Sequence, residues 1–225
     1  MGNPTNQPFT LKNEEMILLH EKAMYWEKHK ILLISDVHIG KVSHFRKNGI
    51  QVPMQSCTAD IECLENLLFD IQPDKLLILG DLFHSDPNSE FTEFTNMLDG
   101  FNNLETILVK GNHDRWTHKI NPKNKIQILD FLKIAPFLFT HEPIELDKNS
   151  NHEYKDFYRI SGHIHPSVTL RGKANQSLTL SCFYFGKEQA LLPAFGNFTG
   201  NCPVQPQSGD KVFVIAGDKV IKWEV

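Results

Sequence analysis

A chain of 225 residues has room for one large domain or two small ones, and its 40% hydrophobic and 22% charged residues are those of an ordinary globular protein. A net charge of −4 argues against a protein that coats nucleic acid through a bulk positive field, although it leaves room for a local basic rim. No apolar run approaches membrane-spanning length, so no membrane partner is expected.

The chain begins Met1-Gly-Asn-Pro-Thr-Asn-Gln-Pro-Phe-Thr10, without a charged start or an apolar core, which predicts no signal peptide. Asn6 stands where a myristoylation signal needs Ser or Thr. Residues 14–19 and 23–26 alternate around a polar turn and predict a hairpin, with a second turn at Glu27-Lys-His-Lys30. Ile31-Leu-Leu-Ile-Ser35 is a run of buried-strand type that breaks at Asp36-Val-His-Ile-Gly40. Residues 41–53 are polar and predict a loop carrying Lys41, Arg46 and Lys47. Ile61, Leu64, Leu67, Leu68 and Ile71 make the apolar stripe of a helix, with Ser56 or Thr58 as cap and Pro73 beyond its end. Lys75–Leu79 is a second buried strand, ending in Gly80-Asp81. A helix over 89–101 presents Phe91, Phe94, Leu98 and Phe101, with Asn88 as cap, and a third strand at Thr106–Val109 follows. Strand–helix–strand–helix–strand is the signature of a parallel sheet with crossovers.

Beyond residue 125 the pattern changes to short apolar runs at Ile126–Leu132, Phe137–Thr140, Phe157–Ile160, Val168–Leu170, Leu178–Phe185 and Ala190–Phe195. The final stretch, Lys211–Trp223, is a hairpin turning at Gly217-Asp218. An α/β start and an antiparallel β finish predict two stacked sheets with helices outside, in one domain over 1–225. The cysteines (Cys57, Cys63, Cys182, Cys202) form no CxxC pair and predict reduced core thiols in a cytoplasmic protein.

Polar clusters follow five of the apolar runs: Asp36-x-His38, Gly80-Asp81, Asn112-His113-Asp114, His141 and Gly162-His-Ile-His165. On extended backbone, residues i and i+2 share a side, so Asp36 with His38, and His163 with His165, could each aim two ligands into one place. Carboxylate, amide oxygen and imidazole together suit manganese, iron or zinc better than magnesium or calcium. Seven such residues exceed one tetrahedral ion and suit two ions about 3.5–4 Å apart sharing a carboxylate, the machinery of phosphoester hydrolysis.

In this order, D-x-H, G-D, G-N-H-D, H and G-H-x-H resemble the calcineurin-like metallophosphoesterases. Gly80-Asp-Leu-Phe-His-Ser85 and Gly111-Asn-His-Asp-Arg115 look like the nuclease subunit of the double-strand-break repair complex. Asp36-Val-His-Ile-Gly-Lys41 and Leu192-Pro-Ala-Phe-Gly-Asn-Phe-Thr-Gly200 look more like the small bacterial ligase-associated DNA damage response phosphoesterases (PdeM type). The resemblance implies a four-layer αββα sandwich with mixed sheets and two divalent ions, manganese foremost. It places one ion on Asp36, His38 and His165 and the other on Asn112, His141 and His163, with Asp81 bridging. His113 would bind a phosphoryl oxygen or protonate the leaving oxygen, Asp114 would orient it, and His84 would support the ligands. Lys41, Arg46 and Arg115 are candidates for substrate contact, and Lys119, Lys123 and Lys125 extend a basic rim. Phe183, Tyr184, Phe185, Phe195 and Phe198 could stack bases but fit a β-rich core better. His20, His29, His44, His118 and His152 sit in no cluster and read as surface.

The expected function is hydrolysis of phosphodiester bonds in DNA during repair, as an endonuclease or phosphodiesterase with a functional link to a DNA ligase and a helicase. A small phosphodiester or phosphomonoester is the second expectation. A non-catalytic scaffold comes last, because the ligand pattern has no gap.

Overall fold

The structure, a computed structural model, describes residues 6–52, 58–84, 89–115, 117, 126–145, 154–172 and 176–224. Strands β1 (Gln7–Leu11), β2 (Glu14–Leu18) and β3 (Met24–Trp26) form an antiparallel meander, and a 3-10 turn at Glu27–His29 leads into β4 (Ile31–Ile34). From β4 the sheet continues in parallel through β5 (Lys75–Leu79), β6 (Glu105–Val109) and β7 (Ile126–Leu129), in plain sequence order. Helices α2 (Ala59–Ile71) and α3 (Ser89–Asp99) are the crossovers, and their stripes pack on Leu32, Ile34, Leu76, Ile78 and Leu108 of one sheet face. Thr58 stands at the first boundary of α2, but its hydroxyl donates to Glu62 rather than accepting a backbone N–H.

The second sheet runs β14 (Cys202–Pro203), β11 (Pro166–Arg171), β12 (Ser177–Phe185), β13 (Gln189–Leu191), β10 (Tyr158–Ser161), β9 (Phe137–Thr140), β8 (Leu132–Ile134). The hairpin of β15 (Lys211–Ala216) and β16 (Lys219–Trp223) joins it through β12. The expected antiparallel finish is only partly realised, since β10 lies parallel to both β9 and β13. Periodicity shows that a run is a strand, not which way its neighbour points.

The two sheets stack on a common interior of Trp26, Leu33, Leu77, Val109, Phe137, Phe139, Ile160, Phe183 and Phe213. Mixed sheets in an α/β sandwich match the expected fold class, while of the four expected layers the described residues form three, one of helices and two of sheet. Phe183, Phe185 and Phe195 are core residues; Tyr184 and Phe198 are half-buried. A smaller cluster of Val168, Cys182, Val212 and Val214 covers the far face of the second sheet, where no helix lies among the described residues.

Two departures bear on the site. The predicted loop after Gly40 begins instead with helix α1 (Lys41–Lys47). Only Val42 is buried in it, so no apolar stripe announced it. Its start is held from outside, by the buried Glu90 carboxylate of α3, which accepts the Gly40 N–H at 2.9 Å and the Ser43 hydroxyl. The predicted strand Ile126–Leu132 is split in two, with β7 ending the first sheet and β8 edging the second. Leu129 and Leu132 both pack into the inter-sheet core, so the chain crosses between sheets at Asp130-Phe131. Of the cysteines, Cys63, Cys182 and Cys202 are free, with Cys202 exposed on β14 and Cys63 only half-buried, and Cys57 lies outside the described residues. Among the described residues, no helix is long and apolar enough to cross a membrane.

Candidate metal centre

Loops at the carboxyl ends of β4, β5, β6, β9 and β10 converge at one rim of the sandwich, where parallel strands release backbone for chemistry. They are zipped together by backbone bonds. The N–H of Asp36 donates to the Gly80 carbonyl at 3.1 Å and that of His38 to the Asp81 carbonyl at 2.9 Å. The N–H of Phe195 donates to the Ser35 carbonyl at 2.8 Å, tying in the second sheet. Two glycines permit the approach. A Cβ on Gly80 would collide with the His141 ring, and one on Gly162 with the Asp36 carboxylate.

The backbone that aims these side chains is not extended. Asp36 (φ 52°), His38 (φ 53°), Asp81 (φ 47°), His163 (φ 66°) and His165 (φ 53°) all sit in the left-handed region. They are half of the ten non-glycine residues that do so among the described residues, so unfavourable backbone is concentrated here. The expectation that i and i+2 point together fails for His163 and His165. His165 joins Asp36 and His38, whereas His163 joins Asp81 and His141; within each trio one ligand atom per residue lies within 4.8 Å of the others.

Asp81 faces both trios, with Oδ2 3.9 Å from His38 Nε2 and Oδ1 3.5 Å from His141 Nε2. Asn112 Oδ1 lies 3.0 Å from the same His141 Nε2, and His163 Nδ1 lies 3.1 Å from it. The structure thus brings together all seven residues expected as ligands.

The protons at this rim point to a cation. His141 Nδ1 bonds the Leu79 carbonyl at 3.0 Å, so it carries the ring proton and Nε2 offers a lone pair. That lone pair faces the oxygens of Asn112 and Asp81, acceptors that a positive ion would reconcile. His165 likewise bonds the Gly200 carbonyl through Nδ1 at 3.0 Å and turns Nε2 toward Asp36 Oδ1 at 3.4 Å. Asp36 Oδ1 and both ring nitrogens of His38 are buried without a hydrogen-bond partner. Burial, then the charge of Lys41, pushes His38 down to about 3, keeping its ring neutral. Burial works against the Asp36 charge, but the His165 ring facing it holds its carboxyl below the usual range. Burial opposes protonation of His165, yet Asp36 raises its pKa, and a metal would replace that proton. Oxygen and imidazole donors in this mixture fit a first-row divalent ion.

Around the trios the expectations divide. His113 is exposed; its N–H donates to Asp81 Oδ1 at 2.9 Å, and its ring lies 5.5 Å from that of His38. Asp114 does not reach the His113 ring as expected of an orienting group. Its fully buried carboxylate accepts the N–H groups of Gly111 (2.9 Å) and Phe83 (3.1 Å), fastening two site loops together, and burial pushes its pKa up to about 6. His84 stacks on His113 with centroids 5.7 Å apart, and burial lowers its pKa to about 4. His44, read as surface from sequence, lies 5.2 Å from the His84 ring.

Lys41 is half-buried between the charges of Asp81 and Asp36, and its desolvation lowers its pKa. Arg46 lies at the far end of α1, exposed, donating to the Val52 carbonyl. Arg115 is exposed just after His113. Lys119, Lys123, Lys125, His118, His152, Ser56 and Asn88 lie outside the described residues. Sequence reading missed Glu90, whose one signal was a carboxylate at i−4 and i−8 from Phe94 and Leu98 on the buried stripe of α3.

A model of the calcineurin-like phosphoesterase family matches residues 29–189, more than half of the chain. The crystal structure of the Pseudomonas putida nuclease MPE superimposes with a TM-score of 0.80 at 29% identity, covering 97% of this chain and 100% of that one. Two other structures align at a TM-score of 0.41. One is the Aquifex aeolicus protein AQ665 (21% identity; 60% of this chain, 78% of that one), and the other the E. coli phosphoesterase YfcE (14%; 83% and 88%). A search of curated proteins returned no match.

Proposed function

Because the chain belongs to the calcineurin-like phosphoesterase family, hydrolases of phosphoester bonds that bind a dinuclear metal centre, we propose that it is a manganese-dependent phosphodiesterase that cleaves DNA. The observation that carries the reading is Asp81, which shares one trio with His141 and His163 through Oδ1 and turns Oδ2 toward His38 of the other.

In this reading Asp36, His38 and His165 would hold one ion, Asn112, His141 and His163 would hold the other, and Asp81 would serve both. Bound there, two divalent ions would supply the acidity that ionises water and the charge that neutralises phosphoryl oxygens. The remaining work falls to the chain's own residues. His113, exposed beside the trios and tethered to Asp81 through its backbone, is placed to hold a phosphoryl oxygen or deliver a proton to the leaving oxygen. His84, stacked on it, limits the positions its ring can take. Asp114 acts through the loops it fastens rather than on substrate. Lys41, which feels both Asp36 and Asp81, is the first candidate for a phosphate contact, with Arg46 and Arg115 further out.

A nucleic-acid substrate is supported by the likeness to a nuclease along 97% of the chain. Repair and a functional link to a DNA ligase and helicase belong to the same reading and rest on the motifs 80–85, 36–41 and 192–200; a cytoplasmic setting rests on the cysteines, which form no CxxC pair. The net charge of −4 favours a second reading, hydrolysis of a small phosphodiester. Purified protein with Mn²⁺ should turn over bis-p-nitrophenyl phosphate and nick DNA, contain two ions per chain by elemental analysis, and lose turnover by at least about 10³-fold in Asp81→Asn. Cleavage of DNA that falls steeply with added salt supports the nuclease; salt-independent turnover of small esters alone supports the second reading. Failure on every phosphoester, with Asp81→Asn indistinguishable from wild type, overturns both.

A further inference from the structure

The crossing between the two sheets leaves an aromatic group beside the metal rim that nothing in the mechanism uses. Phe131 is 41% exposed, a large share for a phenyl ring. It precedes the Leu132–Phe139 pair of β8 and β9, so it stands level with the end of β9 from which His141 departs. Leu132 and Ile134 turn into the inter-sheet core, so Phe131 and Lys133 are on the opposite face of this edge strand.

On that face Phe131 meets Tyr154 edge to face, with centroids 5.9 Å apart. The Lys133 ammonium sits 5.3 Å from the Phe131 ring, 5.0 Å from Tyr154 and 5.7 Å from Phe157. A cation held among rings does two things. It fixes the rings against collapse, and it brings positive charge to a surface that a stacked base and its phosphate would cover. A core cluster would be buried, and a bare apolar patch would lack the charge. An exposed ring with a lysine behind it, one strand-end from a phosphoester site, has the chemistry of a single-strand platform.

We propose that Phe131, backed by Tyr154 and Lys133, stacks a nucleobase of the DNA whose phosphate the metal rim would hold, a substrate contact outside the seven donors and His113. This inference rests on the nucleic-acid reading above, and its test is separated from that reading by measuring binding as well as turnover. The probe is a fluorescein-labelled ten-nucleotide oligodeoxynucleotide, with binding followed by anisotropy on chelated protein and cleavage followed with Mn²⁺.

Phe131→Ala should weaken binding about tenfold, Phe131→Trp should restore it, and turnover of bis-p-nitrophenyl phosphate should stay at the wild-type level. An oligonucleotide with abasic sites should bind wild type and Phe131→Ala equally, a result that a merely structural role would not produce. Equal binding of the intact oligonucleotide by wild type and Phe131→Ala overturns the platform while leaving the phosphodiesterase standing. Turnover of the small ester with no binding of the oligonucleotide overturns both the platform and the nuclease. Loss of ester turnover in the wild type, with base-dependent binding intact, overturns the enzyme reading and keeps the platform.

Discussion

The interior between the sheets and the rim at the strand ends are built from the same strands but obey opposite rules. Trp26, Phe137, Phe139 and Phe183 are fully buried, and Trp26 meets Phe137 at 5.0 Å with planes 81° apart, an edge-to-face contact that aromatic rings favour. A few residues further along, Asp36, His38 and Asp81 are buried too, on left-handed backbone, and Asp36 Oδ1 and both His38 ring nitrogens lack partners. The interior gains free energy by excluding water. The rim gives some of it up to hold charges and lone pairs in place before any ion arrives. The five left-handed rim residues survive because the sheets beneath them fix the loops that carry them.

The largest test of that contrast is in the interior. Phe139→Ala should cost about 3–5 kcal/mol, read as a shift of the denaturation midpoint, because the cavity lies where both sheets meet. A loss under about 1 kcal/mol would mean that the sheets do not share one core. At the rim the sign should reverse on adding metal. Mn²⁺ at about 100 times its Kd should stabilise wild type by about 2.7 kcal/mol, a rise of several degrees in Tm, and His141→Ala should lose most of it. A Tm indifferent to Mn²⁺ would mean that the orphaned rim atoms are satisfied some other way.

The smallest effect lies on the outer face of the second sheet. Tyr184 donates to Asp210 Oδ2 at 2.7 Å, and burial, then Asp210, pushes its phenol up to about 12, against about 10 in an unfolded chain. A raised folded pKa means that its contribution is present below pH 10 and disappears as pH rises from 10 to 12. Tyr184→Phe should therefore flatten the alkaline decline of Tm in that window and leave the neutral-pH activity unchanged. An unaltered alkaline decline would remove Tyr184 from the account.

Much of this was legible along the chain because it is local. The stripe at Ile61, Leu64, Leu67 and Leu68 reads as a helix because periodicity needs no knowledge of what the face packs against. The five polar clusters were equally plain, each a polar break after an apolar run. Helix α1 was not legible, since its start depends on Glu90, 50 residues away, and its own seven residues bury only Val42. Nor was the work of Asp114, whose two bonded N–H groups belong to different loops. The crossing at Asp130-Phe131 was hidden inside what looked like one apolar run, because the choice of sheet is made by neighbours.

Residue types and their order alone determined the kind of donors, their number and the strands that would carry them. The parting of His163 from His165 and the shared Asp81 were implied by the family resemblance but not by the spacing, which put both histidines in one place. That Asp114 fastens loops instead of an imidazole was decided only by folding. The reason is physical. Hydrophobic periodicity is written in neighbouring residues, whereas the direction of a side chain on left-handed backbone is imposed by the strands packed around it.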